Sequence, residues 1–128
     1  MPRTVLIADD DYGIAVVVAY AARQVWPGCR TLIAADGGTA LRHFAAEGPD
    51  VVILDVAMSP PDGFEVCRRI RETSGAPILF LTASEGPAGK AQAFALGATD
   101  YLIKPFDPDD LLAHLRALTV AARANDDH

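Results

Sequence analysis

Five short apolar runs alternate with five helical segments along the chain, and that alternation confines it to one class of fold. The runs are Val5-Leu6-Ile7-Ala8, Arg30 to Ala35, Val51 to Asp55, Pro77 to Thr82 and Tyr101-Leu102-Ile103. Short apolar runs without polar alternation read as strands buried on both faces. Tyr12 to about Trp26, Thr39 to Glu47, Gly63 to Glu72, Pro87 to Leu96 and Asp107 to about Ala124 read as helices. Leu41, Phe44 and Ala45 share a face in the second, Phe64, Cys67 and Ile70 in the third, and Leu111, Leu115, Leu118 and Ala122 in the last. Pro27-Gly28, Gly48-Pro49 and Gly97 stop three of them. A strand-helix unit repeated five times predicts an α/β fold of three layers, a doubly wound (βα)5 arrangement with a five-stranded parallel sheet, because right-handed crossovers place helices on both faces.

A chain of 128 residues fits one domain, expected over residues 1–124 with a disordered tail at 125–128. No repeat, linker or low-complexity segment interrupts it. The net charge of -6, with Lys90 and Lys104 as the only lysines, argues against direct nucleic-acid binding, which needs clustered cations. Cys29 and Cys67 lack metal-ligand spacing and sit among apolar residues, so both are expected to be reduced and buried. The amino terminus shows no signal-peptide pattern, and no apolar stretch approaches the ~20 residues that cross a bilayer. A cytoplasmic protein without membrane contact is the expectation.

Parallel sheets of this kind bind ligands beyond the carboxyl ends of their strands. Asp9 and Asp10 end the first strand and Asp55 ends the third, so three carboxylates are expected at one sheet edge. Like charges so close raise one another's pKa unless a cation offsets them. Magnesium suits such a site, since it takes few carboxylates and keeps waters and phosphate oxygens. Thr82 ends the fourth strand and Lys104 follows the fifth, adding a hydroxyl and an ammonium at the same edge. A carboxylate so surrounded can attack a phosphoryl group and form an aspartyl phosphate. Asp55, alone on the central strand, is the nucleophile candidate, and Asp9 and Asp10 are the metal holders. Lys104 is expected to be an exposed charge with little packing.

In Leu6-Ile7-Ala8-Asp9-Asp10, Ile53-Leu54-Asp55, Asp62-Gly63, Leu81-Thr82-Ala83 and Asp100-Tyr101-Leu102-Ile103-Lys104-Pro105-Phe106, the chain resembles the receiver domain of two-component response regulators from Thr4 to about Thr119. The resemblance implies a flavodoxin-like, CheY-like sheet of order 2-1-3-4-5. It also implies a phosphorylation-dependent switch, with Asp55 accepting phosphate from a sensor histidine kinase or a phosphotransfer protein. Asp10 and Asp55 would hold Mg²⁺ directly, Asp9 through water, and the backbone carbonyl of Ala57 would complete the protein ligands. Lys104 would pair with the phosphoryl group after a cis Lys104-Pro105 bond. Thr82 and Tyr101 would pass the change to a surface built from the fourth helix, fifth strand and fifth helix, which would contact an output domain or a downstream protein. Catalysis of any other reaction is not implied, only self-phosphorylation from a donor and autodephosphorylation.

Two departures from the family pattern stand out. Ser59 occupies the place where proline usually follows the acceptor, with Pro60-Pro61 beyond it, and the small residues Ala57 and Ser84 leave the lifetime of the phosphoryl group unassigned. Lys90, Asp110 and Arg116 partly match a pattern that pairs two receivers through the fourth and fifth helices and fifth strand, while His114 replaces an expected arginine. A homodimer on that face is therefore an expectation. The chain is either a stand-alone receiver or part of a longer regulator. A flavodoxin-like cofactor binder is disfavoured because Asp9-Asp10-Asp11 replace any Gly-rich phosphate loop. A magnesium-dependent hydrolase lacks its second acid, since Ala57 stands two residues past the nucleophile. A pseudo-receiver would not fill every acceptor position.

Overall fold

The computed structural model describes residues 2–83 and 86–126. The elements are β1 (Thr4–Ala8), α1 (Tyr12–Val25), β2 (Arg30–Ala34), α2 (Gly37–Glu47) and β3 (Val51–Leu54). They continue with α3 (Gly63–Arg71), β4 (Ile78–Ala83), α4 (Gly86–Ala95), β5 (Asp100–Lys104) and α5 (Pro108–Asp126). The five strands pair in parallel in the order β2-β1-β3-β4-β5, as expected.

Strand pleating divides the core in two. Val5 and Ile7 of β1, Val51 and Ile53 of β3, and Leu79 and Leu81 of β4 point into one cluster with α1 and α5. Their neighbours Leu6, Ala8, Val52, Leu54, Ile78 and Phe80 point the other way, against Ala40 of α2, Val66, Cys67 and Ile70 of α3, and Ala93 of α4. Both faces of the central strands are thus apolar, which is why the runs lack alternation. Cys29 lies in the first cluster and Cys67 in the second, so the sheet separates the two buried free thiols, and burial raises the pKa of each.

Trp26 closes α1 and is fully buried between α1 and α5, where its indole Nε1 donates to Thr119 Oγ1 at 2.7 Å. Trp26→Phe removes that donor and part of a filled volume, so unfolding free energy should fall by about 1 to 2 kcal/mol. The urea midpoint should drop with an unchanged slope. A midpoint equal to that of the native protein would show that the bond contributes nothing net.

Helix starts account for the boundary differences. Asp36 caps α2, its side chain accepting from Thr39 N at 2.7 Å, so the helix begins at Gly37 and not at Thr39. Helix α5 runs to Asp126, past the expected end near Ala124, while Asp127 and His128 of the expected tail lie outside the described residues, as does the side chain of Ala122. Among the described residues, no helix is long and apolar enough to cross a membrane.

Candidate functional site

Asp9 and Asp55 follow adjacent strands whose register, Ala8 beside Leu54, sets the two carboxylates side by side. Asp55 N–H donates to Ala8 O at 2.9 Å, extending the ladder by one residue, and Asp9 N–H donates to Ala34 O at 3.0 Å. The third acid, Asp10, turns outward and is exposed, yet one oxygen from each of Asp9, Asp10 and Asp55 lies within 4.8 Å of the others. Asp9 and Asp55 themselves are 3% and 5% exposed. The expected trio is therefore assembled, with two of its members inside the protein.

Lys104 at the end of β5 reaches across β4 and bridges the two buried acids. Its Nζ lies 2.7 Å from Asp9 Oδ2 and 3.2 Å from Asp55 Oδ2. The Lys104-Pro105 bond is cis. The side chain is only 15% exposed, which corrects the expectation of an exposed lysine: a lysine just past a strand end looks solvated in sequence, but here it is drawn in by two carboxylates.

One ammonium does not balance three carboxylates, and two negative charges remain. Burial raises the pKa of Asp9, the neighbouring charge of Asp55 adds to that rise, and the hydrogen bonds from Lys104 and the Asp11 amide oppose it. Burial lowers the pKa of Lys104, but its bond to Asp9 and the charges of Asp55 and Asp9 outweigh that and leave it raised. An ammonium held charged beside Asp9, whose charged form burial disfavours, describes a site short of positive charge. The donors are all hard oxygens, so a divalent cation such as Mg²⁺ fits the residues present.

Thr82 lies on β4 one position past the level of Asp55, since Leu54 pairs with Phe80. Its Oγ1 is fully buried and has no hydrogen-bond partner among the described residues. A buried hydroxyl left so costs about 1 to 3 kcal/mol, a cost that an anionic ligand at the site would relieve. Tyr101 on β5 is 7% exposed and packs against Phe80, ring centroids 6.4 Å apart. It sits in the interior, on the α4 side of the sheet.

The loop from Asp55 to α3 carries the Ala57 carbonyl and is held at both ends. Ala57 N–H donates to Asp55 Oδ1 at 3.3 Å, and Gly63 N–H donates to Val56 O at 2.9 Å. Gly63 packs so closely that a Cβ there would stand 2.1 Å from Asp55 O. The sequence marks Asp36-Gly37 as a turn and Asp62-Gly63 as a family motif, but not these close approaches, although a glycine in a helix's first turn forgoes up to about 1 kcal/mol relative to alanine. Ser84 lies outside the described residues. On the far edge, His114 Nδ1 lies 2.5 Å from Asp100 Oδ2, an internal contact where the dimer pattern has an arginine.

Comparison with known proteins bears on the chain as a whole. The family model described as "Response regulator receiver domain" matches residues 5–116. The chain is 42% identical over 119 residues to the response regulator MprA of Mycolicibacterium vanbaalenii, covering 92% of this chain and 51% of that protein. It is 41% identical over 115 residues to the transcriptional regulatory protein YvrH of Bacillus subtilis, covering 89% of this chain and 48% of that protein. The chain thus spans about half the length of the curated relatives it matches. Among solved structures it is similar to the chemotaxis response regulator CheY4 of Vibrio cholerae, at TM-score 0.82 and 36% identity over 92% of this chain and 99% of that one.

Proposed function

The chain belongs to the response regulator receiver domain family of two-component systems, and from that membership we propose that it is a switch phosphorylated on Asp55 by a sensor histidine kinase or a phosphotransfer protein. The observation that carries this reading is the bridge from Lys104 to both Asp9 and Asp55, with Asp10 beside them. It supplies a nucleophile, a cation for the transferred group and a set of oxygen donors within one small space.

In this reading an Asp55 carboxylate oxygen bonds to phosphorus as the phosphorus-nitrogen bond of a phosphohistidine breaks, and the leaving imidazole takes up a proton. Lys104 then exchanges its carboxylate partners for phosphoryl oxygens, and the Thr82 hydroxyl donates to one of them. Asp10, Asp55 and the Ala57 carbonyl would hold Mg²⁺, with Asp9 reached through water, and the ion supplies charge neutralisation to the phosphoryl oxygens when bound. Autodephosphorylation resets the switch, and no other catalysis is assigned.

Output is assigned to α4, β5 and α5, linked to the site through Thr82 and Tyr101. Phe94, Ile103 and Val120 are exposed on these three elements and offer apolar contacts to an output domain, a downstream protein or a second copy of the chain. The engagement of His114 with Asp100 inside the chain makes the homodimer the weaker of these assignments. The proposed setting is the cytoplasm, without membrane or direct nucleic-acid contact by this domain.

The test is incubation with acetyl phosphate and Mg²⁺, read by intact mass. One added phosphoryl group that fails to form when a chelator is present from the start supports the reading. An unmodified protein that also fails to bind beryllofluoride with Mg²⁺ would overturn it.

Lys104→Ala separates charge from packing. Without metal it leaves two buried carboxylates facing each other, so stability should fall by about 2 kcal/mol, below the range for fully buried pairs because the site opens to solvent at the exposed Asp10. Added Mg²⁺ should restore most of the loss, measured by thermal unfolding with and without the ion. Equal stability of the two proteins without metal would show the bridge to be energetically neutral.

A further inference from the structure

The acceptor loop, residues 56–62, is pressed from a second side that the family pattern does not describe. Helix α2 starts at Gly37, which is buried, and a Cβ built there would stand 1.8 Å from Pro61 O, 2.8 Å from Pro61 C and 3.1 Å from Pro61 Cγ. Gly37 N–H also points to Ser59 O at 3.4 Å. These contacts fall on Ser59-Pro60-Pro61, the stretch where the chain departs from its family by carrying serine in place of proline.

Which side would yield to a Cβ is set by how each is anchored. The start of α2 is fixed by the Asp36 cap on Thr39 N at 2.7 Å, and the helix packs on β1, β2 and α3. The loop has no regular structure: Val56 and Met58 are buried and Ala57 N–H, Met58 N–H and Gly63 N–H make short-range bonds to Asp55 Oδ1, Val56 O and Val56 O at 3.3, 3.0 and 2.9 Å, whereas Ser59 and Pro60 are exposed. A side chain at position 37 would therefore press on the Ser59-Pro60-Pro61 end of the loop, which continues from the segment that presents the Ala57 carbonyl.

We propose that Gly37 is a positioning residue for the metal-binding edge of the site, its bare Cα admitting the Pro61 carbonyl and so fixing the loop that presents the Ala57 carbonyl. The inference rests on the proposed function, because it concerns the same Mg²⁺ site. Residues that orient metal ligands without touching the metal are worth about 10- to 100-fold in affinity.

The experiment titrates MgCl₂ into the full chain and follows the Ala57 amide by NMR and the heat by calorimetry. Gly37→Ala should weaken Mg²⁺ binding by about 10- to 100-fold while circular dichroism and cooperative unfolding persist. Gly38→Ala is the control: its Cβ would meet only Arg42 Nη1 and Asp36 Oδ1, both at 3.5 Å, and its affinity should match the native protein. If Gly37→Ala does not fold, Pro61→Gly is added to it, which frees the loop to move away. That double variant should fold and still bind Mg²⁺ weakly. Native affinity in the folded single or double variant overturns the proposal. A native protein that takes up no Mg²⁺ overturns the proposed function itself, and the positioning role with it, which is a different outcome on the first titration of the series.

Discussion

Asp55→Asn is expected to remove phosphoryl incorporation completely and leave a folded, cooperative protein. The amide nitrogen cannot replace a carboxylate oxygen as nucleophile, so no slow residual route through this position remains. The structure also specifies a second consequence. The substitution takes one of three carboxylates from a cluster in which Lys104 offsets only one, so repulsion within the site decreases. The variant should therefore be at least as stable as the native protein in the absence of metal. Mg²⁺ affinity should decrease by about 10-fold or more, since a direct ligand has lost its charge. Acetyl phosphate labelling, thermal unfolding without metal, and calorimetry with MgCl₂ read the three effects separately. Retained labelling would move the acceptor to Asp9 or Asp10. Loss of stability without metal would mean that Lys104 depends on Asp55 more than the cluster depends on losing a charge.

The same cluster shows where sequence suffices and where it does not. Strand ends can be read from a chain because each is a local event, an apolar run meeting an acid. Once the alternation predicts a parallel sheet, Asp9, Asp10 and Asp55 must share an edge, and they do. Lys104 is different. Its position at the edge was legible, but its burial was not, because that depends on reaching past β4 to two acids contributed by β1 and β3. Gly37 and Gly63 are harder still. Their significance lies in backbone atoms of Pro61 and Asp55, partners that no periodicity or charge pattern encodes. His114 likewise looked like a departure from a dimer pattern, and only the fold shows Asp100 as its internal partner. Electrostatic sites assembled from strand ends are written in one dimension, whereas the contacts that hold a loop in place arise from packing.

Gly63→Ala should be strongly destabilising. The new Cβ would stand 2.1 Å from Asp55 O and 2.8 Å from both Asp55 C and Val56 Cα. All three are backbone atoms, so no side-chain rotation relieves the overlap. Either α3 lifts from the sheet, disturbing Val66, Cys67 and Ile70 in the core, or the end of β3 shifts and carries the acceptor with it. The helix-forming advantage of alanine, about 1 kcal/mol, is too small to offset overpacking against a fixed backbone. A net loss of about 3 kcal/mol is expected, or a melting temperature lower by roughly 10 °C for a chain of this size. Phosphoryl incorporation should slow as well, since a shift of about 1 Å at a reacting group costs on the order of 10²-fold in rate. Calorimetric melting and acetyl phosphate kinetics distinguish the two responses: a large stability loss with native kinetics would mean that α3 yields, and slow kinetics with modest destabilisation would mean that the acceptor yields. Native stability together with native kinetics would show that Gly63 does not abut Asp55.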